Sequence, residues 1–275
     1  MSENHLFYNL FSLRGKTALV TGGGTGLGLI MTETLAKAGA NVIIVSRKKK
    51  NVFDTRDKIL STNPKGFIEG IVGDLSCENE INNLVFKIKE VTNTIDILIN
   101  NSGVSWGSQL GSFPYSAWNK VFSVNVTGLF HLTQNLLPLL EENARVDSPS
   151  KILNIGSVMG SSAYGDGAYS YSASKSAVHH LTGILAKELA SKKITVNAFA
   201  PGPFESKMTD FAMNTDKKRD AIASIIPLGR TGRYEDIAAA TLFICGAGGN
   251  YITGAIIPID GGIHVTTGPE LFGNL

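Results

Sequence analysis

Seven mostly apolar runs punctuate the chain, at residues 17–20, 41–45, 67–72, 95–99, 151–155, 194–200 and 255–259. Each is mostly apolar rather than alternating, the pattern of parallel strands covered on both faces. Segments of helical period lie between them, among them 78–91, 115–140, 168–191 and 234–245. Strand and helix alternate repeatedly, which predicts an α/β doubly wound sheet with right-handed crossovers. No linker divides the chain, so one domain is expected over residues 16–262, with a leader at 1–15 and a tail at 263–275. The polar stretch 141–150 reads as a surface loop before the fifth strand. Residues 204–227 are less regular, and ligands of such sheets bind beyond the carboxyl ends of strands, so this insert is expected to cover the site.

Composition narrows the class. Of 275 residues, 43% are hydrophobic and 17% charged, enough for a large core and too little charge for disorder. A formal charge of +2 leaves no broad basic field for nucleic acid. No run approaches the ~20 apolar residues that span a bilayer, so neither a nucleic-acid nor a membrane partner is expected, and the cytoplasm is the default location. Cys77 and Cys245 follow no paired spacing and read as free thiols, Cys245 packed within a helix. His5, His131, His179, His180 and His264 form no ligand cluster, so no metal site is expected.

The first strand runs into a turn crowded with Gly22, Gly23, Gly24, Gly26 and Gly28, then a small-residue helix and a second strand. Glycines there let backbone amides approach a pyrophosphate, and the following helix N-terminus favours the anion. A carboxylate at the end of the second strand would accept bonds from an adenosine ribose. This chain instead has Ser46, Arg47 and Lys48, with further ammonium groups at Lys49 and Lys50. A guanidinium fork without a neighbouring acid suits a 2′-phosphate, which favours NADP(H) over NAD(H).

Tyr171 and Lys175 lie four apart at the head of the 168–191 segment and so share one helix face. An ammonium close to a phenol stabilises phenolate and is expected to lower the tyrosine pKa, making it usable as a general acid or base. Ser157, just after the fifth strand, is placed to hold a substrate oxygen.

Taken together, the turn Thr21-Gly22-x-x-x-Gly26-x-Gly28, the sequence NNSG at Asn100–Gly103, Asn125, Ser157, YSASK at Tyr171–Lys175 and Pro201-Gly202 closely resemble the short-chain dehydrogenase/reductase family, over roughly residues 16–262. The resemblance implies a single-domain Rossmann fold with a seven-stranded parallel sheet. It further implies that Tyr171 exchanges a proton with the substrate oxygen while hydride moves between the carbinol carbon and the nicotinamide. Lys175 would also bind the nicotinamide ribose, Ser157 would orient the substrate, and Asn125 would support a water relay reaching Lys175. Asp74 and Leu75 would border the adenine, Gly22, Thr25, Gly26, Leu27 and Gly28 the pyrophosphate, and Asn101, Ser102, Gly103, Pro201, Gly202 and Ser206 the rest of the dinucleotide. Ser102 stands where alanine is usual, and Thr25 where many NADP-preferring members carry a base. Ser157 precedes Tyr171 by fourteen residues, one more than is common, so Ser161 and Ser162 remain alternatives for its role. The resemblance also implies a homotetramer burying apolar faces of the 115–140 and 168–191 helices.

Within the family, the sequences around residues 153–158, 169–181 and 201–209 look most like reductases of β-ketoacyl substrates, including a rhamnolipid-associated type. A 3-oxo group on a small-molecule carbonyl or alcohol substrate is therefore the expected target. An NADP-linked sugar or polyol dehydrogenase, and a dinucleotide sensor that binds without turnover, are the alternatives. Trp106, Met159, Tyr164, Phe204 and Met208 are candidates for an apolar substrate wall.

Overall fold

Seven strands form one all-parallel sheet in the order β3-β2-β1-β4-β5-β6-β7 in the computed structural model, which describes residues 8–163, 167–206 and 209–266. They are β1 (Thr17–Thr21), β2 (Asn41–Ser46), β3 (Ile68–Val72), β4 (Ile97–Asn100), β5 (Ser150–Ile155), β6 (Ile194–Pro201) and β7 (Ile256–Ile259). Every expected apolar run becomes a strand. The helices are α1 (Gly26–Lys37), α2 (Lys49–Leu60), α3 (Glu78–Val91), α4 (Tyr115–Phe122), α5 (Leu129–Glu142), α6 (Tyr169–Leu189), α7 (Asp210–Met213), α8 (Asp216–Ser224) and α9 (Tyr234–Cys245).

The alternation of side chains along each strand divides the interior in two. Leu19, Ile43, Leu98, Ile152 and Val196 pack against Ile88, Leu136 and Leu185 from α3, α5 and α6. Their neighbours Ala18, Val20, Val42, Ile44, Ile97 and Leu153 pack against Met31 and Leu35 of α1 and Ile237 and Ile244 of α9. Burial on both faces explains why the strands carry no polar alternation. The connections run outward from β1 in one direction and from β4 in the other, which opens a crevice beyond the carboxyl ends of these two strands.

A buried polar chain lies under that crevice. Asn100 of β4 donates through Nδ2 to Thr133 Oγ1 of α5 at 3.0 Å and to Asn154 Oδ1 of β5 at 2.9 Å, and Asn154 donates to Thr182 Oγ1 of α6 at 3.0 Å. It ties α5 and α6 to the ends of two central strands, where apolar packing alone would permit sliding.

Three features depart from the expected pattern. The 115–140 segment is two helices joined by a π-helical turn, Ser123–Gly128, because a wider turn accommodates the close approach of Gly128 to the strand-side backbone: a Cβ there would lie 2.1 Å from the Leu75 carbonyl oxygen. The 204–227 insert holds the short helices α7 and α8. Of the leader, residues 8–11 are helical and Leu13 is buried in the α1/α9 core, so this part covers the body of the domain; Leu6 and Phe7 lie outside the described residues. Cys245 is buried in α9 and Cys77 is exposed.

The amino-terminal edge of the sheet carries an unusual buried cation. Lys151 of β5 is 7% exposed and donates to Asn250 Oδ1 at 2.7 Å, and burial, with Lys16 nearby, pushes its pKa down to about 8. The unfolded chain would hold the Lys151 proton up to its ordinary value of 10.5, so between these values the unfolded state binds more protons and stability rises with pH. Below about 8 the full cost of the buried charge is present. Lys151→Met is expected to stabilise the protein by about 1–2 kcal/mol near neutrality, an advantage that shrinks as pH climbs toward the ordinary lysine value. Urea unfolding at the two pH extremes checks this; an advantage that grows with pH would contradict it.

Candidate active site

The glycine turn sits at the crevice because β1 ends there. Gly22 has φ +65°, a left-handed conformation that disfavours other residues. A Cβ on Gly28 would lie 2.2 Å from the Gly22 carbonyl oxygen, so the first turn of α1 packs on the turn itself. Thr25 is extended as the N-cap of α1 and makes no side-chain cap, and no acidic residue occupies the first helical turn. The opening amides at Gly26, Leu27 and Gly28 have no intrahelical acceptors. This cradle fits the pyrophosphate of a dinucleotide.

Asn101 and Ser102 hold the turn rather than merely bordering it. Asn101 Nδ2 donates to the carbonyl oxygens of Thr21 at 2.9 Å and Gly22 at 3.2 Å. The backbone amides of Asn101 and Ser102 both donate to Thr21 Oγ1 at 3.0 Å. Thr21 belongs to the glycine motif, yet its bracing role is visible only once β4 lies beside β1. Ser206 lies across the same turn, since a Cβ on Gly26 would come within 3.6 Å of Ser206 Cβ. Its backbone amide is fixed by Thr209 Oγ1 at 3.0 Å, a partner the sequence did not single out. Through Ser206 the insert therefore meets the glycine turn.

At the adenosine end the basic run separates. Arg47 lies at the end of β2 in a loose pair with Asp74, Nη1 to Oδ2 4.0 Å, and Lys48 is the N-cap of α2. Lys50 is paired with Asp54 at 2.6 Å and exposed, and Lys49 lies over the Phe53 ring. Ser46 accepts from the Gly73 amide through its carbonyl oxygen, 3.2 Å away. Leu75 is 4% exposed with its side chain in the core, which leaves only its backbone for the adenine.

Tyr171, Lys175 and Ser157 converge beyond β5. Lys175 is buried and donates through Nζ to the Ile155 carbonyl oxygen at 2.6 Å. Its Nζ lies 5.6 Å from the centre of the Tyr171 ring and 3.6 Å from where a Gly103 Cβ would be. The Ser157 hydroxyl hydrogen-bonds Tyr171; Ser161 is exposed and contacts His179. Asn125, 1% exposed on the π-helical turn, spends its amide on the Val104 backbone, accepting at 2.8 Å and donating at 3.0 Å, and donates also to Ser174 Oγ at 3.0 Å. Its side chain thus positions the loop after β4.

The electrostatics differ from the expected depression of the tyrosine. Burial raises the Tyr171 pKa above the ordinary phenol value, and the Ser157 hydrogen bond opposes this only in part. Burial likewise pushes Lys175 down to about 8. The ammonium points to the Ile155 carbonyl rather than to the phenol oxygen, so desolvation prevails. Near neutrality Tyr171 therefore carries its proton and Lys175 its charge.

Apart from the two large cores, Val158, Ile226 and Ile263 form a small buried apolar cluster of their own, with Met159 and Ile222 packed against it. Phe204 is not part of this cluster. It is 5% exposed in the α1/α9 core, filling the space left by the absent side chain of Gly232. Trp106 is 36% exposed beneath the Lys120 ammonium, 4.9 Å from its ring centre. Tyr164 and Met208 lie outside the described residues. Pro201 closes β6, and Gly202 abuts Asp260 beside it. Among the described residues, no group of three His, Cys, Asp or Glu side chains could hold a metal ion, and no helix is long and apolar enough to cross a membrane.

Comparison with known proteins agrees with this geometry. A family profile described as enoyl-(acyl carrier protein) reductase matches residues 22–264. The chain is 44% identical, over 93% of its length and 98% of the other, to the rhamnolipids biosynthesis 3-oxoacyl-[acyl-carrier-protein] reductase of Pseudomonas aeruginosa. It is 34% identical, over 93% and 97%, to the 2-dehydro-3-deoxy-D-gluconate 5-dehydrogenase of Bacillus subtilis. The Pseudomonas aeruginosa RhlG/NADP active-site complex superposes with a TM-score of 0.89 at 44% identity, covering 93% of this chain and 99% of that one. The chain belongs to the short-chain dehydrogenase/reductase family. It is an oxidoreductase of the CH–OH/C=O couple, and its dinucleotide is NADP(H). For Arg47→Asp, affinity for NADPH is expected to fall at least tenfold more than affinity for NADH, through loss of a charge-assisted bond and added repulsion. Fluorescence titration with both dinucleotides reads the ratio, and an unchanged preference would remove Arg47 from the phosphate site.

Proposed function

We propose that the protein is an NADPH-dependent reductase of 3-oxoacyl groups, with Tyr171 as the proton donor. The observation that carries this reading is the convergence of Tyr171, Ser157 and the buried Lys175 beyond β5. When bound, NADPH supplies the hydride. Ser157 holds the substrate oxygen, and Tyr171 transfers its proton to that oxygen as negative charge develops there. The buried Lys175 charge offsets the phenolate left behind. Asn125 keeps the loop after β4 and Ser174 of α6 in register with Lys175.

The 44% identity to a 3-oxoacyl-[acyl-carrier-protein] reductase supports an acyl substrate over a sugar or polyol. A polyol dehydrogenase remains the second reading because a gluconate-type enzyme is among the relatives. A homotetramer and a cytoplasmic location complete the proposal, both supported by family membership.

A purified-protein assay of NADPH oxidation across a 3-oxoacyl thioester, a 2-enoyl thioester and sugar ketones tests the substrate class. Turnover is expected with the 3-oxoacyl thioester; turnover confined to sugar ketones would overturn the reading, and tight NADPH binding without any turnover would make the protein a sensor. Tyr171→Phe is expected to lose about a hundredfold or more in kcat, the usual scale of a lost general acid, while binding NADPH as before. Comparable activity in that variant would refute the acid assignment.

A further inference from the structure

The imidazole of His179 is enclosed by the loop that carries Ser157, and nothing in the reaction above uses it. His179 follows Lys175 by four residues and Tyr171 by eight on α6, so the three share a helix face. A Cβ at Gly156 would lie 2.1 Å from His179 Nε2, and one at Gly160 would lie 2.8 Å from Cε1. The glycines on either side of Ser157 thus leave a slot shaped to the ring. Any side chain at either position would expel it.

Both ring nitrogens face this loop. Nε2 is 3.5 Å from the Ser157 backbone nitrogen, and Nδ1 is 3.1 Å from Ser161 Oγ. A backbone amide can only donate, so Nε2 is the acceptor and Nδ1 carries the proton toward Ser161. Burial and the Lys175 charge lower the His179 pKa, which preserves the neutral ring this arrangement requires. Ser176 Oγ donates to the Gly160 carbonyl oxygen at 2.7 Å and fastens the far end of the loop to the same helix. The direction of the Ser157 hydroxyl therefore depends on where α6 holds the loop backbone.

We infer that His179 is a positioning residue: through the Ser157 amide and the Ser161 hydroxyl it fixes the loop that presents Ser157 to the substrate oxygen. The inference rests on the proposed roles of Ser157 and Tyr171. Its test compares His179→Leu, His179→Gln, Ser157→Ala and the His179→Leu/Ser157→Ala double variant, using NADPH and a 3-oxoacyl thioester. His179→Leu is expected to lower kcat by about tenfold, the scale of one positioned hydrogen bond, with NADPH affinity and melting temperature unchanged. His179→Gln restores most of the loss, since its amide oxygen can replace Nε2. In the Ser157→Ala background His179→Leu adds little, because the two act as one unit.

Histidine-selective nitrogen-15 NMR of the parent protein gives a readout that needs neither turnover nor a folded variant, and should show the Nδ1–H tautomer at His179. An Nε2–H tautomer, an equal loss in both backgrounds, or a Gln variant no better than Leu would overturn the inference. Turnover abolished by Ser157→Ala yet untouched by His179→Leu would overturn this inference alone. Full activity in Ser157→Ala would remove the reading of the site along with it.

Discussion

The rest of the site depends on a lysine ammonium held inside the protein against the Ile155 carbonyl oxygen. Burying a charge is costly unless hydrogen bonds compensate, and the downward pull on the Lys175 pKa records that cost. Such a group stays in place only on a frame that cannot relax around it. Here the frame is the end of β5, the packed base of α6 and the polar chain from Thr133 through Asn100 and Asn154 to Thr182. The two faces of apolar core hold these elements in one register.

From that frame follows the division of labour at the crevice. The glycine turn, braced by Thr21 and Asn101, offers amides to a pyrophosphate. Burial raises the Tyr171 pKa, and the Ser157 hydrogen bond opposes it only in part. The insert contributes Ser206 to the turn and Ile222 and Ile226 to the small apolar cluster around Val158.

Much of this was legible in the chain. Mostly apolar runs located all seven strands, since strands covered on both faces have no polar side to show. Tyr171, Lys175 and Ser157 lie near one another as their spacing placed them, because each sits within a few residues of a strand end or on one helix face. Other features were hidden for identifiable reasons. Phe204 reads as a pocket residue but is core, because the vacancy it fills belongs to Gly232, far along the chain. The π-helical turn at Asn125 carries no periodic signal, and the Gly128 that ends it packs against the distant Leu75 backbone.

The sequence by itself determined the strand–helix alternation, the glycine turn and the pairing of Tyr171 with Lys175 on one helix face, all properties of residues close together in the chain. Only the tertiary structure decided the burial that raises the Tyr171 pKa, the use of Asn125 as a brace, and the fit of His179 against Gly156 and Gly160. Desolvation and steric fit depend on atoms brought together from distant segments, and no local pattern reports how much water is left between them.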